Sequence, residues 1–241
     1  MRIIRAADYL DLSRKAAGII AAMVTLKPDS VLGLATGDSP LGVYRHLADS
    51  YNSGDIDFSH TRAFNLDEYR GLGPDAEQSY RLFMWKNLFS KINIKPENLN
   101  IPNGLADDPT AECARYEEAI KSCGGIDLQL LGIGNNGHIG FNEPNAGFIV
   151  NTHLVDLSDS TIDANSRFFQ RRGDVPTQAY TMGIGSIMRA RKIVLIVSGR
   201  QKAEIVKHAF CGGVYPEIPA SILQLHGDFT LVGDEPALSL I

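Results

Sequence analysis

Short apolar runs alternate with amphipathic stretches along this sequence, and few folds accommodate such an alternation. Each apolar run ends in a turn that contains glycine or polar residues, as is typical of strands in α/β proteins. The predicted strands are residues 31–34, 62–66, 126–133, 192–197 and 229–232. Strands separated by helices form right-handed βαβ units and therefore a mostly parallel sheet. We predict an α/β fold, a single domain over residues 1–241 with a Rossmann-like open, mostly parallel sheet and helices on both faces.

The stretches between these strands carry apolar residues at helical spacing. The predicted helices cover residues 10–26, a segment that starts near Pro40, residues 80–89, residues 109–122 and a segment from Gln201 onwards. Proline suits the first turn of a helix, where a backbone N–H has no partner in any case. We expect Trp85 and its aromatic neighbours to lie in the core. The most hydrophobic run, 192–197, is expected in the middle of the sheet.

The bulk composition limits the function. Hydrophobic residues make up 44% of the chain and charged residues 21%, and the formal net charge is −5. Without a run rich in lysine and arginine, a nucleic-acid-binding surface is not expected. The three cysteines form no C-x-x-C pair, which argues against a disulfide framework or a zinc knuckle. No signal peptide and no stretch of ~18 apolar residues is visible, so we expect a cytoplasmic protein without membrane contact.

Polar clusters follow several of the predicted strands, at residues 36–39, 67–68, 135–138 and 199–202. In open parallel sheets, ligands bind beyond the carboxyl ends of the strands. Because unrelated segments bring reactive residue types to this one edge, we predict an enzyme with its site there.

The first cluster belongs to the turn 33–40, which leads from a strand into a helix. Free N–H groups at the start of a helix bind anions, and the hydroxyl of Ser39 adds a donor. This turn matches neither the GxxxxGK[ST] nor the GxGxxG pattern, so it does not predict a nucleotide site. An ordinary turn with Ser39 as the helix cap is the alternative.

The second cluster consists of the adjacent carboxylates Asp67 and Glu68. Two neighbouring acids are unusual in a core. One can act as a base while the other accepts hydrogen bonds from the backbone. A solvated turn with a helix cap is the alternative.

The third cluster, residues 132–144, is rich in glycine and asparagine, which tolerate unusual backbone conformations. Such a loop is expected where one group must be placed accurately, and His138 is that group. Glu143 follows five residues later and can hydrogen-bond the imidazole, which would fix its tautomer. The spacing does not match HExxH and no second histidine lies nearby in the sequence, so no metal is predicted. A glycine-rich turn with a surface histidine is the remaining alternative.

Arg167 and Lys202 are candidate phosphate ligands. Arginine binds phosphate through paired hydrogen bonds, and lysine adds a positive charge. A cation in the first turn of a helix, as expected for Lys202, is unfavourable unless an anionic ligand offsets the cost. Taken alone, each residue is more easily explained as part of a surface ion pair.

Taken together, these segments resemble the glucosamine-6-phosphate deaminase family over about residues 1–236. The resemblance rests on LGLATGDSP (32–40), FNLDEYRGL (64–72), GIGNNGHIGFNEP (132–144), ANSRFF (164–169) and SGRQKA (198–203). It implies conversion of D-glucosamine 6-phosphate and water into D-fructose 6-phosphate and ammonia, a step of amino-sugar catabolism that needs no cofactor.

The resemblance also implies roles for single residues. Asp67 would be the base that moves a proton between C2 and C1, and His138 the acid and base that opens the sugar ring. Glu143 and Asn136 would support His138, and position 136 is aspartate in some members of the family. The implied phosphate ligands are Gly37, Asp38, Ser39, Arg167 and Lys202.

A hexameric branch of the family is activated by N-acetylglucosamine 6-phosphate. The serines of its effector site correspond to Ala146 and Gly147 here, and its cations to His153 and Val155. Members of that branch carry a long C-terminal extension, which has no counterpart in this sequence of 241 residues. We therefore expect no such activation, and a monomer or weak dimer.

Two other functions compete with the deaminase function implied by the sequence. A 6-phosphogluconolactonase shares a similar loop around the histidine, but is not expected to keep residues 67–69 and 141–144 as they are here. A regulator that only binds sugar phosphates would be expected to lose Asp67 or His138, and both are present.

Overall fold

The computed structural model describes residues 1–241, apart from the side chains of Ser160 and Ala164. The strands are β1 (Arg2–Ala6), β2 (Val31–Leu34), β3 (Arg62–Asn65), β4 (Asp67–Tyr69), β5 (Leu99–Asn100), β6 (Leu128–Leu131), β7 (His153–Asp156), β8 (Gln178–Thr181), β9 (Lys192–Val197) and β10 (Phe229–Asp234). The α-helices are α1 (Tyr9–Leu26), α2 (Leu41–Asn52), α3 (Tyr80–Asn87), α4 (Pro109–Ser122), α5 (Asp159–Asn165), α6 (Ile184–Met188) and α7 (Ala203–Phe210). Short 3₁₀ turns lie at Phe89–Lys91, Pro96–Asn98, Ser166–Phe168, Arg172–Asp174, Arg200–Lys202 and Pro219–Leu225. Among the helices of the described residues, none is long and apolar enough to cross a membrane.

The central sheet has seven strands in the order β1-β10-β9-β6-β2-β3-β5, and every neighbouring pair is parallel. Each predicted strand is present, although β6 is shorter than the apolar run 126–133. The strand β9 lies inside the sheet between β10 and β6, as its hydrophobicity predicts. The predicted fold class is confirmed.

Helices cover both faces of this sheet. One face packs against α1, α2 and α3, and the other against α4, α6 and α7. The prediction that Trp85 lies in the core is wrong, because Trp85 is 47% exposed. The short helix α3 directs Met84 inward, and the next residue on a helix points about 100° away.

A second, three-stranded sheet was not predicted. Its order is β4-β8-β7, and both pairs are antiparallel. The chain passes from the large sheet to the small one at Leu66, whose N–H bonds to the carbonyl of Leu34 and whose carbonyl accepts from the N–H of Met182. Asp67 is consequently the first residue of the small sheet and lies at the edge where the two sheets meet.

The order of the strands creates a crevice. From β2 the chain continues outward to β3 and β5, whereas from the adjacent β6 it continues the other way to β9 and β10. Ligands of open α/β sheets bind where the strand order reverses in this manner. The loops 35–40 and 132–138 leave β2 and β6 at this point.

Candidate active site

A pocket of about 560 Å³ lies at the crevice between β2 and β6. It collects eight of the predicted site residues: Gly37, Asp38, Ser39, Asp67, Asn136, His138, Arg167 and Lys202. The ninth, Glu143, does not line the pocket and lies behind His138. Segments that are distant in the sequence therefore meet beyond the carboxyl ends of the strands, as predicted from the polar clusters that follow those strands.

The turn after β2 presents backbone amides to the pocket. Gly37 has φ 92°, a conformation that favours glycine. Within the described part of the chain, the N–H groups of Gly37, Asp38 and Ser39 donate to no protein acceptor. The helix α2 starts directly afterwards, with Pro40 at its N-cap and no side-chain cap, so Ser39 does not serve as the cap. Unpaired amides at the start of a helix suit an anion.

Two cations lie at the same end of the pocket. The ammonium of Lys202 donates to the carbonyl of Ile133 (2.8 Å), and burial lowers the pKa of this lysine. The guanidinium of Arg167 pairs with the carboxylate of Asp38 (Nη2–Oδ2 2.7 Å), and both side chains are more than half exposed. An exposed pair of this kind contributes little stability, so Arg167 can exchange Asp38 for another anion at low cost.

The turn that carries Lys202 is held by Asp234, a residue that the sequence analysis did not single out. The carboxylate of Asp234 accepts hydrogen bonds from the hydroxyl of Ser198, from the N–H of Gly199 (3.0 Å) and from the N–H of Ala237 (2.9 Å). Nothing in the local sequence links the last strand to this turn, because the link depends on the pairing of β9 with β10.

The adjacent carboxylates of β4 have different partners. Glu68 accepts hydrogen bonds from the backbone N–H groups of Tyr69 (2.8 Å), Tyr80 (3.0 Å) and Arg81 (3.0 Å). Burial raises its pKa to about 7 against the lowering effect of these bonds. Glu68 thereby fixes the start of α3, and the expectation that one of the two acids bonds to backbone is confirmed.

Asp67 is 6% exposed, and no described residue donates a hydrogen bond to its carboxylate. Burial, with the nearby charge of Glu68, raises its pKa to about 8. Burying a carboxylate without a partner is costly and is typical of functional sites. The alternative of a solvated turn does not hold for either acid.

His138 rests on a loop that glycine makes possible. A Cβ on Gly134 would lie 2.2 Å from Cε1 of the imidazole, so only glycine fits beneath the ring. The N–H of Gly134 donates to the carbonyl of His138 (2.9 Å) and closes the loop. The side chain of Asn136 accepts from the N–H of His138 (3.2 Å). The imidazole is thus held by its own loop at the pocket wall.

Glu143 contacts three groups behind the pocket. Its carboxylate lies 3.5 Å from Nδ1 of His138, accepts from the amide of Asn136 (2.6 Å) and accepts from the hydroxyl of Thr161. Partial burial opposes ionisation, but these contacts outweigh it and lower the pKa of Glu143 to about 2. A carboxylate 3.5 Å from Nδ1 favours the tautomer with the proton on that nitrogen, which leaves Nε2 for chemistry.

Tyr80 and Thr161 are among the pocket-lining residues that were not predicted as site residues. Tyr80 stacks on Phe141, with ring centroids 6.0 Å apart and planes 9° apart. Thr161 reaches the pocket from α5. The aromatic run around Tyr80 predicted a helix face in the core, and a lone threonine in a polar segment gives no local signal.

None of the described residues forms a group of three or more His, Cys, Asp or Glu side chains suited to a metal ion. The histidine and carboxylates near the pocket instead contact amides, hydroxyls or one another, with the exception of Asp67.

Known proteins that are similar to this chain identify its family. The sequence profile of the family described as glucosamine-6-phosphate isomerases/6-phosphogluconolactonase matches residues 8–231. The chain belongs to this family. A glucosamine-6-phosphate deaminase of Lachnoclostridium phytofermentans is 59% identical over 232 residues, which cover 96% of this chain and 98% of the relative. A glucosamine-6-phosphate deaminase of a Thermoanaerobacter species is 53% identical over 241 residues, which cover 100% of this chain and 95% of the relative. The resemblance inferred from the sequence is confirmed.

Solved structures of the family share the architecture. A monomeric glucosamine-6-phosphate deaminase superposes with a TM-score of 0.97 at 45% identity, over the whole of both chains. A 6-phosphogluconolactonase from Trypanosoma cruzi superposes with a TM-score of 0.80 at 18% identity, over 99% of this chain and 96% of its own. The second similarity concerns the fold alone.

Proposed function

We propose that the protein is a glucosamine-6-phosphate deaminase, which converts D-glucosamine 6-phosphate and water into D-fructose 6-phosphate and ammonia. The observation that carries the proposal is the pairing, in one pocket, of a buried carboxylate that lacks a cation with a cationic, amide-lined end. The substrate has the complementary charges, an ammonium group at C2 and a phosphate at C6. An ammonium group beside Asp67 would supply the missing counter-charge and favour the ionised carboxylate.

The phosphate is bound at the turn after β2. Backbone N–H groups of Gly37 and Asp38, the hydroxyl of Ser39, and the side chains of Arg167 and Lys202 are its ligands. Since this group does not react, its binding energy serves to orient the sugar against Asp67 and His138.

His138 opens the pyranose ring. Its imidazole takes the proton from the hydroxyl on C1 and delivers one to the ring oxygen, which breaks the bond from C1 to that oxygen and gives the open-chain aldehyde. Glu143 holds the imidazole in the required tautomer, and Asn136 holds Glu143.

Asp67 then moves a proton within the open chain. Its carboxylate removes the proton from C2, which is acidified by the adjacent aldehyde. A proton passes from the ammonium group to the oxygen on C1, and a neutral enolamine forms between C1 and C2. The same proton returns to C1, and the nitrogen on C2 becomes an iminium. Water adds to C2 and ammonia leaves, so the ketone of fructose 6-phosphate remains. No electrons are exchanged with another molecule in these steps, and the proposed reaction needs no redox cofactor.

In this scheme the enzyme combines an aldose–ketose isomerisation with hydrolysis of a carbon–nitrogen bond, as part of amino-sugar catabolism. We place it in the cytoplasm. A monomer or weak dimer is favoured by the similarity to the monomeric deaminase.

We further propose that N-acetylglucosamine 6-phosphate does not activate the enzyme. A cavity of only about 50 Å³ lies beside Glu143, at the positions that correspond to the effector site of the hexameric branch. Its described lining includes Gly147, His153 and Val155 but no lysine or arginine, and burial lowers the pKa of His153. A cavity this small and without a permanent cation is unsuited to a sugar phosphate.

The proposal is tested by measuring ammonia release from glucosamine 6-phosphate, with and without N-acetylglucosamine 6-phosphate. We expect hyperbolic kinetics that the second compound does not change. Hydrolysis of 6-phosphogluconolactone without ammonia release would favour the lactonase function instead. A sigmoidal rate curve abolished by N-acetylglucosamine 6-phosphate would contradict the proposed absence of activation.

A further inference from the structure

One short segment carries two pocket-lining groups that have different partners. The helix α5 bears Thr161, and the 3₁₀ turn that follows it without a break bears Arg167. Thr161 is 6% exposed, and its hydroxyl donates to Oε1 of Glu143. Arg167 contacts Asp38 on the phosphate-binding turn. The segment therefore touches the carboxylate behind His138 and the phosphate end at the same time.

The hydroxyl of Thr161 is held in place from two sides. It accepts a hydrogen bond from the hydroxyl of Ser158 (3.1 Å), the N-cap residue of α5, and it donates to Glu143. A hydroxyl has a single proton to donate, so this arrangement directs that proton to the carboxylate. A change in the position of α5 would consequently change the number of hydrogen bonds that Glu143 accepts.

The two ends of the segment are joined by continuous hydrogen-bonded backbone. The N–H of Ser166 bonds to carbonyls of α5, and the N–H of Phe169 bonds to the carbonyl of Ser166. The ring of Phe169 packs edge-on against Tyr69, with centroids 5.9 Å apart. No break in hydrogen bonding therefore separates Arg167 from α5.

We propose that Thr161 is a positioning residue that couples phosphate binding at Arg167 to ring opening at His138, through its hydrogen bond to Glu143. The inference rests on the proposed function, because it assigns the phosphate to Arg167 and the ring opening to His138. When the phosphate replaces Asp38 as the partner of Arg167, the ligand holds the segment against the pocket, and the hydrogen bond that Thr161 already donates to Glu143 is maintained while the imidazole reacts. Phosphate binding then improves the rate of the chemical step as well as affinity.

The first experiment compares three variants of this segment in steady-state kinetics. Thr161→Val keeps the shape of the side chain but removes the hydroxyl, and we expect kcat to fall about 10-fold while KM changes less than about 2-fold. Thr161→Ser restores the hydroxyl and is expected to recover kcat to within about 3-fold of wild type. Ser166→Ala is the matched control, since its hydroxyl bonds to a backbone carbonyl of the same segment and not to the pocket, and should leave both constants unchanged. Equal losses in the valine and serine variants would overturn the proposal, because shape and not the hydroxyl would then matter.

The second experiment tests the coupling itself. Arg167→Ala is made in the wild type and in Thr161→Val. If Thr161 transmits phosphate binding, the arginine variant lowers kcat and raises KM in the wild type, but only raises KM in the valine background. Additive effects on kcat would overturn the coupling.

Both experiments use whichever sugar phosphate the wild type turns over. Ammonia release from glucosamine 6-phosphate by the wild type decides the proposed function. The ratios between variants decide the role of Thr161, so the two failures are distinguishable.

Discussion

The buried carboxylate of Asp67 predicts that the variant Asp67→Asn is more stable than the wild type. In the folded protein the pKa of Asp67 is raised to about 8, while its ordinary value is 3.8. Between these values the unfolded chain releases the proton and the folded chain keeps it. The contribution of Asp67 to stability is therefore fully present only below its unfolded pKa, and is lost as the pH rises towards 8. Asparagine fills the same space and does not ionise in either state.

The magnitude follows from the linkage between protons and folding. Over the interval in which the folded state holds one proton more than the unfolded state, the free energy of unfolding falls by about 1.36 kcal/mol per pH unit. Between pH 5 and pH 7, which lie inside this interval, the gap between Asp67→Asn and the wild type should widen by about 3 kcal/mol. Glu68 is electrostatically coupled to Asp67, whereas titrating groups farther away contribute equally to both proteins, so the difference reports Asp67 together with its coupling to Glu68.

The assay is urea unfolding of both proteins at several pH values from 5 to 7. The matched control is Asp127→Asn, since Asp127 is also buried but is paired with Lys27 (2.6 Å) and with Arg191. Although burial opposes ionisation, these partners lower the pKa of Asp127. This control should be less stable than the wild type by a constant amount over the same range. Parallel curves for Asp67→Asn and the wild type would refute the reasoning about Asp67.

The same substitution should remove activity. A positioned base contributes about 10²- to 10⁴-fold to a proton transfer, and asparagine cannot replace it. We expect kcat to fall by that order while inorganic phosphate still inhibits residual turnover with the wild-type inhibition constant. A stable, inactive variant would be an instance of the general conflict between stability and function at a strained site. Retained turnover would exclude Asp67 as the base.

Three other substitutions test the electrostatics of the site. Asp38→Asn removes a carboxylate that competes with phosphate for Arg167, and should lower KM by about 2- to 5-fold; a rise in KM would mean that Asp38 orients the guanidinium. Asn136→Asp places a second carboxylate against Glu143 and raises the pKa of that group, so the acidic limb of the kcat profile should move to higher pH by about one unit. An unchanged profile would contradict the contact. Asp234→Asn weakens the support of the turn that carries the phosphate-site lysine, and KM should rise about 10-fold with kcat little changed; a loss confined to kcat would assign Asp234 another role.

The sequence predicted five of the seven strands of the central sheet, because local patterns determine these strands. Buried parallel strands are continuous apolar runs, and the turns that end them contain glycine or polar residues. The same reasoning located the site, since the carboxyl ends of parallel strands share one edge. Because β2 and β6 are parallel neighbours, the loops that follow them lie side by side at this edge.

The features that could not be predicted depend on contacts between distant segments. The strand β1 carries charges among its apolar residues, as an edge strand does, and so lacks the signal of a buried strand. The small antiparallel sheet joins three short segments whose partners are set by where the large sheet releases the chain at Leu66. Thr161 and Asp234 act through side-chain contacts across the fold, for which no local pattern exists.

Residue type alone does not separate structural from catalytic carboxylates in this chain, but their partners do. Among the described residues, the buried acids are Asp67, Glu68, Glu112, Asp127 and Asp234. All but Asp67 accept hydrogen bonds from backbone N–H groups, and some also pair with a cation. A carboxylate held in this way is stabilised by the fold and has no reason to react. Asp67 has no such compensation within the described chain, and it is the one that faces the pocket. Burial keeps its proton bound, and a ligand that brings a positive charge would favour the ionised form, so an amino sugar suits the site better than a lactone without an amine.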